Sequence, residues 1–357
     1  MTPTFRRDRL TGQWRLVAPT RAGVPLPSNR AIDPGLPSTD GRCPFCPGHE
    51  EDAGRTVARL PSEGPWEVRV VRNKYPAVVE RDASHDEHDA HDAHDEHDEH
   101  DEHDEHDEHD EHDEHDERGE NDDTRLALGA HEVVVETRAH EGDLPELSDD
   151  HVALVLRAYR DRVAHHEATG AACVLLFRNR GVRAGSTQAH PHAQVVACSV
   201  VPTEIARRAD RARAHFEKTG ARLIDAELRR AEAAGRVVLR EELGSLVCPH
   251  APSGPYETWL IPHPHVPFAQ LDDEALTSFA QLLRRSVAIT LEGSGRRAWN
   301  LLVHLPPLAH RDAPYAFWYA SIVPRGGPGA GLELVSGTTV VTVAPEDAAT
   351  HLRTLVG

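Results

Sequence analysis

The sequence predicts an α+β fold made of two related halves, each a mainly antiparallel sheet with packed helices. Two observations carry this. Gly-Pro-aromatic-Glu followed by an extended apolar run occurs twice, as "GPWEVRVVRNKYP" (64–76) and "GPYETWLIPHPHV" (254–266). Downstream of each copy, a strand or turn leads into one amphipathic helix and then two further apolar strands.

The first helix is expected from Ser148 to about Thr169, with Val152, Val155, Leu156, Tyr159 and Val163 at helical spacing. Ser148 suits the N-cap and Gly170 the stop. The second is expected from Asp272 to about Glu292, with Leu276, Phe279, Leu283, Val287 and Leu291 on one face and Gly293 at its end. Strands "AACVLLF" (171–177) and "WNLLVH" (299–304) follow, and each half closes on a strand ending in Pro, "AQVVACSVVP" and "FWYASIVP". Residues 203–235, polar and rich in Arg and Ala, read as a helical hairpin or one long helix. The halves divide as 1–200 and 201–357, with an insertion at about 82–124 inside the first.

That insertion governs the charge. Residues 85–117 are eleven triplets of the type His-Asp-Glu, holding 11 Asp, 9 Glu, 11 His and two Ala. They account for the whole net charge of −20, since the other 324 residues carry 39 acidic and 39 basic side chains. A run so acidic, without hydrophobic periodicity, cannot pack, and reads as a solvated loop or a weak multi-site binder of Zn²⁺ or Ni²⁺. The balanced remainder has no basic stripe suggesting nucleic acid. No apolar run reaches the ~18 residues a membrane span needs. The N-terminus lacks a secretory h-region, and five sparse cysteines argue for a reducing cytoplasm rather than a disulfide framework.

The chemistry concentrates in "FRNRGVRAGSTQAHPHAQV" (177–195). In an extended segment His190, His192 and Gln194 share one face, while Pro191 and Ala193 turn away. The preceding glycines and small hydroxyls let backbone N–H groups approach an anion. Imidazole beside a phosphate cradle suggests phosphoryl or nucleotidyl transfer. Neutral imidazole, with an unperturbed pKa of ~6.5, is a ready nucleophile at pH 7 without a general base. The matching stretch of the second half, "DAPYAFWYASIVP", has no such histidines, so one active site per chain is expected, in the first half. Cys43 and Cys46, in "CPFC", have the short spacing of half a metal site.

The pattern His-φ-His-φ-Gln-φ-φ resembles the histidine-triad superfamily in its transferase branch. The whole frame resembles the galactose-1-phosphate uridylyltransferases. Further matches are "RRDRLTGQWRLVAPTRA" (6–22), "CPFCPGHE" (43–50), "VVRNKYPA" (70–77), "HEVVVETRAH…LPELS" (131–148), "PYETWLIPHPH" (255–265), "NLLVHLPPL" (300–308) and "GLELVSG…APEDAATHLR" (331–353). They cover nearly everything but the His-Asp-Glu run.

The resemblance implies two histidine-triad-like halves, with His192 as the covalent nucleophile and Gln194 as its phosphoryl-oxygen partner. It implies substrate contacts from Arg21, Asn73, Lys74, Asn179 and Thr187, and a sugar contact from Glu333, across a homodimer interface. A second basic residue after Arg21 is replaced by Val24. It implies one zinc per chain on Cys43, Cys46, His140 and His190. His49, after the "CPFC", reads as a stray residue rather than a ligand. A second metal site of one Glu and three His is expected to be absent, because Arg208 stands at the Glu position and Leu301 to Val303 at the paired His. His304 and His310 then read as ordinary loop or strand residues, and His263 and His265 as peripheral.

The implied activity is exchange of UMP between UDP-glucose and galactose 1-phosphate, a step of galactose metabolism. An adenylyl-sugar phosphorylase with the same covalent histidine is the alternative. A metal-handling protein working through the His-Asp-Glu run is a third reading. Deleting 85–117 separates it, because the enzyme readings expect turnover nearly unchanged.

Overall fold

A computed structural model describes residues 2–23, 43–80, 126–263, 265–326 and 331–356. The expected insertion and Val24 lie outside the described residues. In chain order the strands are β1 (Thr4–Arg7), β2 (Trp14–Val17), β3 (Thr56–Leu60), β4 (Val68–Arg72), β5 (Gly129–Val135), β6 (Cys173–Arg180) and β7 (His192–Cys198). Then come β8 (Val237–Glu241), β9 (Gly244–Val247), β10 (Thr258–Pro262), β11 (Trp299–His304), β12 (Tyr319–Pro324) and β13 (Val340–Val341). The α-helices are α1 (Asp149–Ala168), α2 (Thr203–Thr219), α3 (Leu223–Ala233), α4 (Asp273–Ser294), α5 (Gly331–Ser336) and α6 (Pro345–Arg353).

The two halves share one sheet. Ten strands run in the order β3-β4-β5-β7-β6-β11-β12-β10-β9-β8, and every neighbouring pair is antiparallel. The order is a palindrome about the β6–β11 seam, where Phe177 faces Leu302 and Asn179 faces Asn300. This is the expected α+β duplication with antiparallel strands and packed helices. A small second sheet joins the ends of the chain, because β2 pairs antiparallel with β1 and parallel with β13.

The palindrome corrects the internal echo. It makes β4 the counterpart of β9 and β5 the counterpart of β10, so the two Gly-Pro-aromatic-Glu copies precede non-equivalent strands, β4 and β10. The repeated tetrapeptide marks similar turn chemistry, not a repeated place in the sheet.

The helices form as their caps dictate. Ser148 Oγ accepts from His151 N at the start of α1, and Asp272 Oδ1 accepts from Ala275 N at the start of α4. The segment 203–235 is a hairpin of α2 and α3. Helix α4 runs past Gly293 and stops at Gly295, whose φ of 61° is the left-handed region that favours glycine. Gly293 is there for packing: a Cβ on it would meet Leu352 Cδ2 of α6 at 2.4 Å.

Helices α1 and α4 cover one face of the sheet. Val152, Leu156 and Tyr159 of α1 and Leu276, Phe279 and Leu283 of α4 pack on Ala193, Val195, Leu176, Leu301 and Ile322. Each such fully buried aliphatic contributes about 1.5–3 kcal/mol. Alternation then sends the residues that alternate with Ala193 and Val195 on β7 away from the helices. Ala193 and Val195 lie in this core, so His192 and Gln194 project from the opposite face.

Candidate active site and metal cluster

Cys43 and Cys46 sit on a turn closed by a hydrogen bond from Cys46 N to Cys43 O, and His49 N donates to Cys46 O in the next turn. His49 Nδ1 lies 3.1 Å from Cys43 O, so its ring braces this turn. Arg69, 1% exposed, donates to Pro44 O at 3.2 Å and stacks over Trp66. Against the turn come His140, after β5, and His190, just before β7.

His190 Nδ1 is 3.7 Å from Cys43 Sγ and 3.6 Å from Cys46 Sγ, and His140 Nδ1 is 3.3 Å from Cys46 Sγ. One ligand atom from each of the four residues lies within 4.8 Å of the others, a group that could hold a metal ion. The structure thus brings together all four residues expected to bind metal. Burial pushes the His190 imidazolium down to about 4, keeping the ring neutral as a ligand must be. His190 Nε2 lies 2.8 Å from Thr137 O, which fixes Nε2 as the protonated nitrogen and turns Nδ1 to the thiols. Burial, with Cys43 beside it, pushes the Cys46 thiol up to about 11, so a bound metal would displace protons.

His192 is next along the chain. Its Nδ1 lies 2.8 Å from His190 O. A carbonyl only accepts, so Nδ1 carries the proton and Nε2 keeps its lone pair. Burial lowers the His192 pKa, again favouring the neutral ring. Phe45 lies against it with ring centroids 5.5 Å apart.

Gln194, on the same face, has its Oε1 2.8 Å from His131 Nε2 of β5. Asn73, after β4, is in the same cluster, with Nδ2 3.0 Å from His131 Nε2 and Oδ1 accepting from Tyr75 N. Lys74 beside it is exposed. Asn179 of β6 accepts through Oδ1 from Asn300 Nδ2 at 2.7 Å, and Asn300 Nδ2 also donates to Ala184 O in the glycine loop. That loop carries Thr187, exposed, and bends at Gly181 and Gly185 with φ of 84° and 86°. Arg21 is exposed in a short 3-10 turn after β2. Glu333 lies on α5, where its Oε1 accepts from Val340 N at 3.3 Å.

Beneath β7, on the helix side, is a buried charge network. Arg178 reaches Glu136 Oε2 at 2.8 Å and Asp143 Oδ1 at 2.8 Å, Tyr159 donates to Glu136 at 2.5 Å, and Trp299 Nε1 donates to Asp143. Glu136 N also donates to Pro191 O, between the two histidines.

The four histidines read from the sequence as peripheral or ordinary have local partners. His304 Nε2 is 2.9 Å from Ser321 Oγ and its ring stacks on Tyr319 at 4.3 Å, while Arg208 sits over the same Tyr319. Leu301 is core. His310 meets the Tyr315 hydroxyl, His265 meets Asp225, and His263 lies 3.5 Å from Ser245 Oγ.

Sequence reasoning missed His131, Asn300 and Arg69. Each acts only through the fold: His131 lies diagonal to Gln194 across the β5–β7 pair, and Asn300 faces Asn179 across the seam. The alternation of His131 with Val133 and Val135 was the available signal for a β5 side chain on the face that carries His192 and Gln194.

Residues 1–202 match the family described as galactose-1-phosphate uridyl transferase, N-terminal domain. The chain belongs to this family. Over its full length the family member is similar to ADP-glucose phosphorylase of Arabidopsis thaliana, at 27% identity over 364 residues, 99% of this chain and 93% of the relative. It is 25% identical to galactose-1-phosphate uridylyltransferase of Haemophilus influenzae over 333 residues, 87% of this chain and 85% of the relative. A crystal structure of an Arabidopsis thaliana ADP-glucose phosphorylase with bound ADP-glucose matches this uridyl transferase family fold with a TM-score of 0.78, at 26% identity and 99% coverage of both chains.

Proposed function

We propose that the protein is a nucleotidyltransferase working by double displacement through His192. The observation that carries this is the His192 Nδ1 bond to His190 O, which leaves Nε2 as the free nucleophile beside Gln194. In the first half-reaction Nε2 attacks the α-phosphorus of UDP-glucose. The N–P bond forms, the P–O bond to the β-phosphate breaks, and glucose 1-phosphate leaves. In the second, a phosphate oxygen of galactose 1-phosphate attacks phosphorus, the N–P bond breaks and UDP-galactose forms. Both leaving groups are weakly basic, so no strong general acid is needed. Gln194 then donates an N–H to the phosphoryl oxygen.

Asn179 and Thr187 would hold the phosphates, with Asn73, Lys74 and Arg21 at the nucleotide, and Glu333 would meet the sugar across a homodimer. Zinc is the metal we assign to the Cys43, Cys46, His140 and His190 cluster. A tetrahedral site with Zn–S of ~2.3 Å and Zn–N of ~2.0–2.1 Å has S···N edges of about 3.6 Å. The observed separations of 3.3, 3.6 and 3.7 Å fit. Bound there, zinc would be structural and would fix His190, and with it the carbonyl that orients His192.

A second reading keeps the covalent step and changes the partners: ADP-glucose as donor and inorganic phosphate as acceptor. The full-length likeness to ADP-glucose phosphorylase supports it. Exchange of radiolabelled glucose 1-phosphate into the nucleotide sugar, with no second substrate, tests both. Exchange into UDP-glucose, abolished by His192→Ala, supports the first reading, and exchange into ADP-glucose alone supports the second. Exchange into neither overturns double displacement.

A further inference from the structure

We propose that His131 is a positioning residue that sets which end of the Gln194 amide faces the substrate phosphate. This deepens the nucleotidyl-transfer reading and rests on it. Side-chain amides have two similar ends, and only the nitrogen can donate to a phosphoryl oxygen. What fixes the choice here is a chain of groups that ends in main-chain amides.

Ala77 N lies 3.0 Å from His131 Nδ1. A backbone N–H only donates, so His131 Nδ1 is the acceptor and bears no proton. The ring's proton is therefore on Nε2, 2.8 Å from Gln194. That proton needs an acceptor, and Gln194 must present Oε1 to it. The Gln194 NH₂ is then left for the substrate side. Asn73 cannot replace Gln194 as the acceptor. Its Oδ1 accepts from Tyr75 N at 2.9 Å, and its Nδ2, 3.0 Å from His131 Nε2, is itself a donor that makes no hydrogen bond to the protonated nitrogen.

The consequence is a coupling between two parts of the site. The segment after β4 that carries Asn73 and Lys74 also supplies Ala77 N, so placing that loop selects the His131 tautomer, and the tautomer orients Gln194. His131 itself need not touch the substrate. The strand register agrees: Val133 is opposite Gln194 and His131 opposite Val196, so the two side chains meet on the diagonal of one face.

A double-mutant cycle with a tautomer readout tests this. His131→Phe keeps a ring and loses the donor. We expect kcat to fall by about 10–100-fold, with KM within about 3-fold, because only phosphoryl-oxygen stabilisation is lost. His131→Gln, which can still donate an N–H, should recover part of the rate. In a Gln194→Ala background, His131→Phe should cost no further activity. Additive losses in that background overturn the proposal, as does a loss confined to KM. Selective ¹⁵N-histidine labelling, with His131 assigned by its loss in His131→Phe, reads the tautomer without any turnover. An Nε2–H ring supports the assignment and an Nδ1–H ring overturns it. If wild-type protein exchanges neither nucleotide sugar, the nucleotidyl-transfer reading fails, and the tautomer still decides whether His131 orients Gln194.

Discussion

His190 and His192 stand two positions apart and do opposite things with their rings, joined by a hydrogen bond from His192 Nδ1 to His190 O at 2.8 Å. The His190 ring faces two cysteines, while its carbonyl holds the next histidine in the tautomer that leaves Nε2 free. Metal cluster and candidate nucleophile are thus linked through one residue's main chain.

The first prediction concerns that link. Cys46→Ser, or stripping with a strong chelator, should release the metal, lower the melting temperature and reduce nucleotidyl transfer by about 10–100-fold. Metal analysis, thermal melting and exchange rate on the same samples check it. A metal-free protein with unchanged turnover would separate the cluster from His192.

Asn300 gives a prediction across the seam. Its amide bridges Asn179 Oδ1 and Ala184 O, tying the glycine loop to the second half. Asn300→Ala should raise KM for the nucleotide sugar by about 10-fold, the scale of losing one or two hydrogen bonds. An unchanged KM would show that the loop is set without the second half.

The charge network beneath β7 predicts a stability loss. Arg178 is 1% exposed and Glu136 fully buried. Glu136→Ala should cost about 3–5 kcal/mol in urea unfolding, because it leaves a buried guanidinium with Asp143 as its one carboxylate partner. A cost under about 1 kcal/mol would mean that Asp143 suffices alone.

Glu132 supplies the pH dependence. Burial alone would raise its carboxyl, but hydrogen bonds and charge from His166 and Arg162 overcome this and hold it below the ordinary range. A depressed carboxyl contributes stability that is complete above the unfolded value of ~4.3 and is lost as pH falls through the folded value. The gap in melting temperature between wild type and Glu132→Gln should therefore be wide at pH 7 and close in acid. A gap independent of pH would contradict it.

Local chemistry made much of this legible in the sequence. The caps of α1 and α4 are set by Ser148 and Asp272, and both helices stand where their apolar spacing puts them. The Cys-Pro-Phe-Cys turn and His-Pro-His-Ala-Gln each identify themselves by spacing. The sheet was harder. Whether β6 pairs with β11 depends on which edges meet, and nothing within either strand encodes its neighbour. His131 stayed hidden for the same reason, since a histidine on a strand acquires a role only when register brings it to Gln194. The repeated Gly-Pro-aromatic-Glu misled because turn chemistry recurs wherever a chain enters a strand.

The account centres on His192 as the residue that carries the nucleotidyl group. Incubation with UDP-glucose and, separately, ADP-glucose, followed by rapid denaturation, alkaline digestion conditions and peptide mapping, tests it most directly. The account predicts a nucleotidyl group on His192 Nε2, absent in His192→Ala and discharged by added sugar phosphate or inorganic phosphate. A nucleotidyl group on any other residue, or turnover with no covalent adduct, would contradict it.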